Sequence, residues 1–241
     1  MSLQFSDITN KKGIVETIDR NCKSSSVSYP LTEKAADVNL ALDKAFSLIF
    51  PASGRWQFDD SNHTKYPTIT TPLVANQRDY SFTTDEQGNL ILDIYRVMIK
   101  NESGIYYEIY PVDTQSDRGV ESLYDGQNIA GTPYRYDKTA NGIFLDPVSS
   151  YSVAAGVKVF INREGSYFTS TDTVKQPGFA GIFHEYLALR PSYFYAMRNG
   201  LKNANALQAE MLQMEKDMKK YYRDRARDEQ YVITSEPINS I

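Results

Sequence analysis

Proton-transfer and hydrolytic chemistry need acids beside a histidine, and the chain offers that combination at Asp59-Asp60 with His63. Such a group could bind a metal or shuttle a proton. Its spacing matches no ligand motif, and the favoured reading of the same residues is a polar loop between a helix and a sheet. His184-Glu185 is the second pairing. Adjacent helical residues point about 100° apart, so this pair lacks the i, i+4 geometry of a zinc-binding helix and reads also as polar packing. His63 and His184 are the two histidines of the chain. With no GxSxG elbow, no GxxxxGK[ST] loop and no strand-linked GxGxxG, neither a serine triad nor a nucleotide site is motivated. Cys22, the single cysteine, excludes an internal disulfide and a cysteine-rich zinc site. The expectation is no catalytic residue, no metal and no cofactor.

The densest basic cluster is Lys216, Lys219, Lys220, Arg223, Arg225 and Arg227, interleaved with Asp217, Asp224, Asp228 and Tyr221-Tyr222. One reading is a solvated helix end, where the dipole favours cations. The other is an interface for an acidic protein partner, or more weakly a surface facing passing nucleic acid. The stretch that follows, residues 232–241, is apolar, carries Pro237 and has no partner strand, so it reads as an extended tail able to add a strand to another protein. Arg223, Arg225, Arg227, Tyr231, Val232, Ile233, Pro237, Ile238 and Ile241 are the candidate docking residues.

The elements that must position these residues follow from composition and period. With 41% hydrophobic and 23% charged residues, the 241-residue chain can bury a core. A net charge of −4 argues against coating nucleic acid as its main task. No apolar run approaches the roughly 20 residues of a membrane span, and the first ten residues do not read as a signal peptide, so a soluble, unprocessed protein without a membrane role is expected. Tyr 18 and Phe 11 against Trp 1 suit β-surfaces and interfaces.

The order predicts an α+β protein, helical at both ends with a β-rich middle. Ile8, Ile14, Val15, Ile18 and Cys22 recur at helical spacing. After a polar connector, Pro30 and Thr32 start a helix whose stripe is Ala35, Val38, Leu42, Ala45, Phe46 and Ile49, stopped by Pro51 and Gly54. From Trp56 the pattern becomes that of antiparallel strands, predicted over residues 68–71, 78–82, 91–100, 106–111, 134–137, 143–145 and 157–162. Residues 101–104 read as a hairpin turn, Asn141-Gly142 as a tight turn tolerating positive φ, and residues 113–124 as a short helical crossover. After Pro177-Gly178, Phe179, Ile182, Phe183, Tyr186 and Leu187 share a face until Pro191 kinks or breaks the helix. Residues 201–230 predict one long helix with Leu207, Met211, Met214 and Met218 on a stripe. The segments are thus 1–55, 56–176, 177–230 and 231–241.

Several stretches together resemble the head-to-tail adaptor (connector) proteins of tailed bacteriophages, of the tail tubular or head-completion type with a β-rich insertion. They are Trp56-Gln57-Phe58, Tyr66-Pro67, Leu73-Val74 with Gln77 and Asp79-Tyr80, and Ile94-Tyr95-Arg96-Val97. Further along come Gly131-Thr132-Pro133 with Tyr136, Gly142-Ile143-Phe144-Leu145-Asp146-Pro147, and Pro177-Gly178 leading to Phe183-His184-Glu185-Tyr186-Leu187-Ala188. The resemblance spans residues 32–230 and is one of order and spacing.

It implies a bundle of the N- and C-terminal helices with the antiparallel β-domain inserted, and a structural role in the virion at the head–tail junction after assembly in the host cytoplasm. About twelve copies would close a ring under the portal protein, with Tyr-rich and Met-rich flanks as lateral contacts. The C-terminal segment would reach the portal, the β-domain a downstream tail or nozzle protein, and genomic DNA would pass through without specific binding. Two other readings stay open: a tail-associated peptidoglycan hydrolase using Asp59, Asp60 or Glu185, and a β-domain that binds glycans through exposed Tyr.

Overall fold

The computed structural model describes residues 3–52, 60–63, 67–112 and 130–225. The expected crossover at 113–124, the Trp56-Gln57-Phe58 stretch, Asp59, Arg227 and the tail from Tyr231 to Ile241 lie outside them. The protein is α+β, and it divides into two compact units, Met1–Asn62 with Tyr167–Ile241, and His63–Ser166.

The first unit is built from helices of both chain ends. Helix α1 is Ile14–Cys22, α2 Leu31–Ile49, α3 Tyr186–Arg198 and α4 Ala204–Arg225. Helix α3 lies against α1, α2 and α4, and α2 also touches α4. The predicted stripe of α2 is buried throughout, from Ala35 to Ile49. Each buried Val, Leu, Ile or Phe contributes roughly 1.5–3 kcal/mol, so this face is what fixes the helix. On α4 the buried residues are Leu207, Met211, Met218 and Tyr222. The methionines expected to make a lateral surface therefore point into the core, filling the irregular gap beside α3.

Three expectations at helix boundaries are corrected. The face expected from Phe179 onward is not one helix: Gly181–Phe183 forms a single 3-10 turn, Ile182 is exposed, and α3 begins only at Tyr186. Ile8 is not part of α1 but 77% exposed. The Asp7 carboxylate accepts the Asn10 amide N–H at 2.9 Å, and Lys11 adopts φ 55°, so a local turn displaces the helix start to Ile14. Pro191 neither breaks nor ends α3 but sits inside it. Burial of Leu187, Ala188, Leu189, Ser192 and Ala196 around it outweighs the one backbone bond that proline cannot make. Residues 167–176, grouped above with the β-rich segment, pack in the helical unit. The Phe168 ring stacks on Phe5 at 4.9 Å, and the Asn39 side chain accepts the Phe168 N–H and donates to its carbonyl.

The second unit is a seven-stranded sheet in the order β1-β9-β3-β4-β6-β7-β2, with a two-stranded pair β5-β8 beside it. The strands are β1 Thr68–Leu73, β2 Asp79–Ser81, β3 Ile91–Lys100, β4 Tyr106–Pro111 and β5 Ala130–Gly131. They continue as β6 Arg135–Thr139, β7 Gly142–Asp146, β8 Val148–Ser149 and β9 Val153–Arg163. Val97, Ile99, Ile143, Leu145, Val157, Val159 and Ile161 are fully buried on its inner face. The sheet is mixed and not purely antiparallel, because β4 pairs with β6 in parallel. The chain between these two strands is long enough for the crossover that a parallel pair requires.

Pro72 is accommodated because β1 is an edge strand with a bulge between Thr71 and Leu73. The Asn141-Gly142 hairpin forms, but neither residue has positive φ. Gly142 is required for another reason: a Cβ there would collide with the Tyr80 carbonyl of β2.

Candidate interaction surface

Of the acids and histidine expected to act together, Asp60 and His63 fall in different units and Asp59 lies outside the described residues. Asp60 belongs to the helical unit, where Oδ1 accepts the Asn62 amide N–H at 3.0 Å and its side-chain N–H at 2.9 Å, closing a turn. It lies against Gly178, whose missing Cβ leaves room for the carboxylate. His63 belongs to the β unit, where its Nε2 is 3.3 Å from the Ser166 hydroxyl. Its Nδ1 is 3.8 Å from Asp85 Oδ2, which also lies 3.6 Å from Arg163 Nε.

Ser166, His63 and Asp85 have the order of a nucleophile triad, and no spacing in the sequence announces it. The geometry argues for a clasp. All three residues are more than nine-tenths shielded, and the His–Asp separation exceeds hydrogen-bond range. Asp85 is committed to its own loop, accepting the Gln87 and Asn89 amides and the Asn89 side chain. Burial pulls the Asp85 pKa up, but these bonds and Arg163 outweigh it and hold the carboxyl below its ordinary value.

His184 and Glu185 do not lie on a helix but in the turn that precedes α3, and they face differently: His184 is buried and Glu185 exposed. The His184 ring accepts the Leu3 N–H at Nδ1 (3.0 Å) and donates from Nε2 to the Phe179 carbonyl (2.8 Å). Nδ1 also lies 3.2 Å from the Leu3 carbonyl, and burial lowers the imidazole pKa against the upward pull of the Phe179 and Leu3 backbone bonds. It is a structural tie between the N-terminal segment and the turn before α3. Among the described residues, no group of three or more His, Cys, Asp or Glu is placed to hold a metal ion. No described helix is long and apolar enough to cross a membrane.

The basic cluster is where the structure concentrates a surface. Lys216, Lys219, Lys220 and Arg223 recur on α4 at three- and four-residue intervals, so they share one face. Opposite them stand Lys44, Ser47, Leu48, Pro51 and Ala52 at the end of α2, and together they line an open groove of about 680 Å³. Its floor is apolar and the charged groups among its described lining residues are all cations, an arrangement suited to an acidic segment with apolar side chains.

Arg225 falls on another side of α4, in an open depression of about 720 Å³ with Ile182, Phe183, Asp217, Lys220, Tyr221 and Asp224. The sequence cluster thus splits into a purely basic wall and a mixed one. Arg223 Nε is 3.7 Å from Asp224 Oδ1, but both side chains are well exposed, so this pair contributes little. Tyr222 belongs to neither wall; it is fully buried, and its hydroxyl accepts the Ala180 N–H.

No family model matches the chain, and no curated protein is significantly similar to it. The groove's chemistry therefore carries the functional argument. Lys44 is remote in sequence from the α4 lysines, so no spacing announces it; only the packing of α2 against α4 brings them together.

Proposed function

We propose that the chain is a structural virion protein, a head-to-tail adaptor whose helices form a bundle with the β unit inserted. It assembles as a ring on a portal protein and works without catalytic turnover. The observation that carries the reading is the basic, apolar-floored groove between α2 and α4, built at the helix end from which the candidate docking segment continues. A surface of this kind suits an acidic protein segment. The order of the chain, helices at both ends around a β unit, agrees with the resemblance in the sequence.

In this reading Arg223 and Arg225 contact the portal together with Arg227 and the residues from Tyr231 to Ile241. Neighbouring copies, about twelve by the resemblance, close the ring, and the β unit meets a tail or nozzle protein. The test is mass photometry of the purified protein alone and mixed with the portal protein encoded in the same genome. Growth of a ring-sized complex on the portal is expected. A protein that stays monomeric and never joins the portal overturns the proposal. Deleting residues 232–241 should leave the melting curve intact and weaken attachment; unchanged attachment removes the tail from the docking surface.

A further inference from the structure

We infer that the outward face of β3, β4 and β9 binds single-stranded nucleic acid without sequence preference. The inference does not rest on the adaptor reading. Strand alternation sends Val97, Ile99, Ile109, Val157, Val159 and Ile161 into the core. It leaves Arg96, Met98 and Lys100 of β3, Tyr106, Glu108 and Tyr110 of β4, and Lys158 and Phe160 of β9 on the opposite face. The register sets Arg96 beside Phe160, Met98 between Lys158 and Glu108, and Lys100 beside Tyr106. Aromatic rings and cations therefore alternate across three adjacent strands.

The distances bear this out. Arg96 lies 5.2 Å from the centre of the Phe160 ring, Lys100 5.0 Å and Lys158 5.2 Å from that of Tyr106. Tyr95, displaced outward by the bulge between Ile94 and Arg96, has its ring 6.1 Å from Phe160. Tyr110 is 67% exposed and Tyr95 40%.

Charge decides the ligand class. The face's carboxylates are neutralised: Glu108 by Arg96 at 2.9 Å, and Asp93 at the far end by Lys138 at 3.0 Å. Lys100 and Lys158 have no carboxylate partner among the described residues, so the platform carries surplus positive charge between its rings. A neutral glycan would stack on the rings but needs free carboxylates or amides for its hydroxyls. An acidic peptide would pair with the lysines but has no run of planar groups for the rings. A duplex hides its base faces. A single strand supplies both stacked bases and phosphates, the combination that exposed sheet faces recognise in sequence-tolerant binding.

The test is fluorescence anisotropy of the full chain with a labelled oligothymidylate of about 15 nucleotides. Saturable binding that weakens with rising salt is expected, with a duplex of equal length bound about tenfold more weakly. Tyr110→Ala and Lys158→Gln should each weaken binding about fivefold. Thermal melts confirm that both variants fold; both side chains lie on the outward face, so the core is untouched. The double variant Lys216→Glu/Lys220→Glu, in the α4 groove, reports binding at the other basic surface. The inference is overturned by absence of binding at low salt, or by equal affinity for duplex. Loss of binding in the groove variant with none in the sheet variants also overturns it, as does binding of a neutral oligosaccharide without the oligonucleotide.

Discussion

His184 is held neutral by its surroundings, and that makes it a source of pH-dependent stability. The folded ring resists protonation because it is buried, while the unfolded chain takes the proton near the ordinary imidazole value. A depressed folded pKa contributes stability that is complete above about pH 6.5 and is lost as pH falls toward the folded value. Thermal midpoints should therefore drop as pH is lowered from about 7.5 to 5, and His184→Leu should flatten that step. The same variant should cost about 2 kcal/mol at neutral pH by stranding the Leu3 N–H and the Phe179 carbonyl; a pH profile identical to the parent's would refute this role. Lys34 is a second residue of this kind, 2% exposed with its ammonium 2.6 Å from Asp19 Oδ1. Lys34→Ala should lose about 3 kcal/mol in urea unfolding, the low end for a broken buried pair because Asp19 is partly exposed. Lys34→Met with Asp19→Asn should recover much of that loss. Neither role was legible in the sequence. His184 read only as one half of a dipeptide, and what holds it is backbone, at Leu3 and Phe179. Ser166 and Asp85 likewise reach His63 from remote points of the chain, where spacing carries no information.

Elements were legible in proportion to how well their burial repeats. Strands β3 and β4 match the expected residues 91–100 and 106–111 because apolar and polar residues alternate along them and a turn separates them. The two-residue strands β5 and β8 have no period to read. On α4 the stripe was visible, but its apolar side is core rather than surface, since Met211 and Met218 are at most 5% exposed. Helix α3 shows the converse: a strong local breaker, Pro191, yields to packing on either side of it. Close approach of backbones is also invisible to periodicity, and Gly142 is the sharpest case. Gly142→Ala would drive a methyl into the Tyr80 carbonyl across β7 and β2. We expect a loss of about 2 kcal/mol or more, read from the urea midpoint at unchanged m-value; a neutral effect would mean that β2 can slide away freely.

At the scale of the whole molecule, the sequence disclosed helices at both ends and strands between them, and the α+β class follows from that order. It did not disclose the groove, which exists only because α2 returns to α4. If the groove is the portal-docking surface, reversing its charge should matter more than shortening its side chains. Lys216→Glu with Lys220→Glu is expected to weaken the complex with the portal about tenfold or more, and Lys216→Ala with Lys220→Ala less. Binding curves at two salt concentrations would check this, since the parent's affinity should fall with salt and that of the reversed variant should not. The contact between His63 and Ser166, the first and last residues of the β unit, has a further consequence. A segment whose ends are joined by one hydrogen bond is a cassette, whose fold does not depend on being stretched between two anchors. Residues 63–166 made alone should melt cooperatively, and a circular permutant joining Ser166 to His63 through a short linker, opened at the exposed Asn101–Gly104 turn, should keep the same sheet.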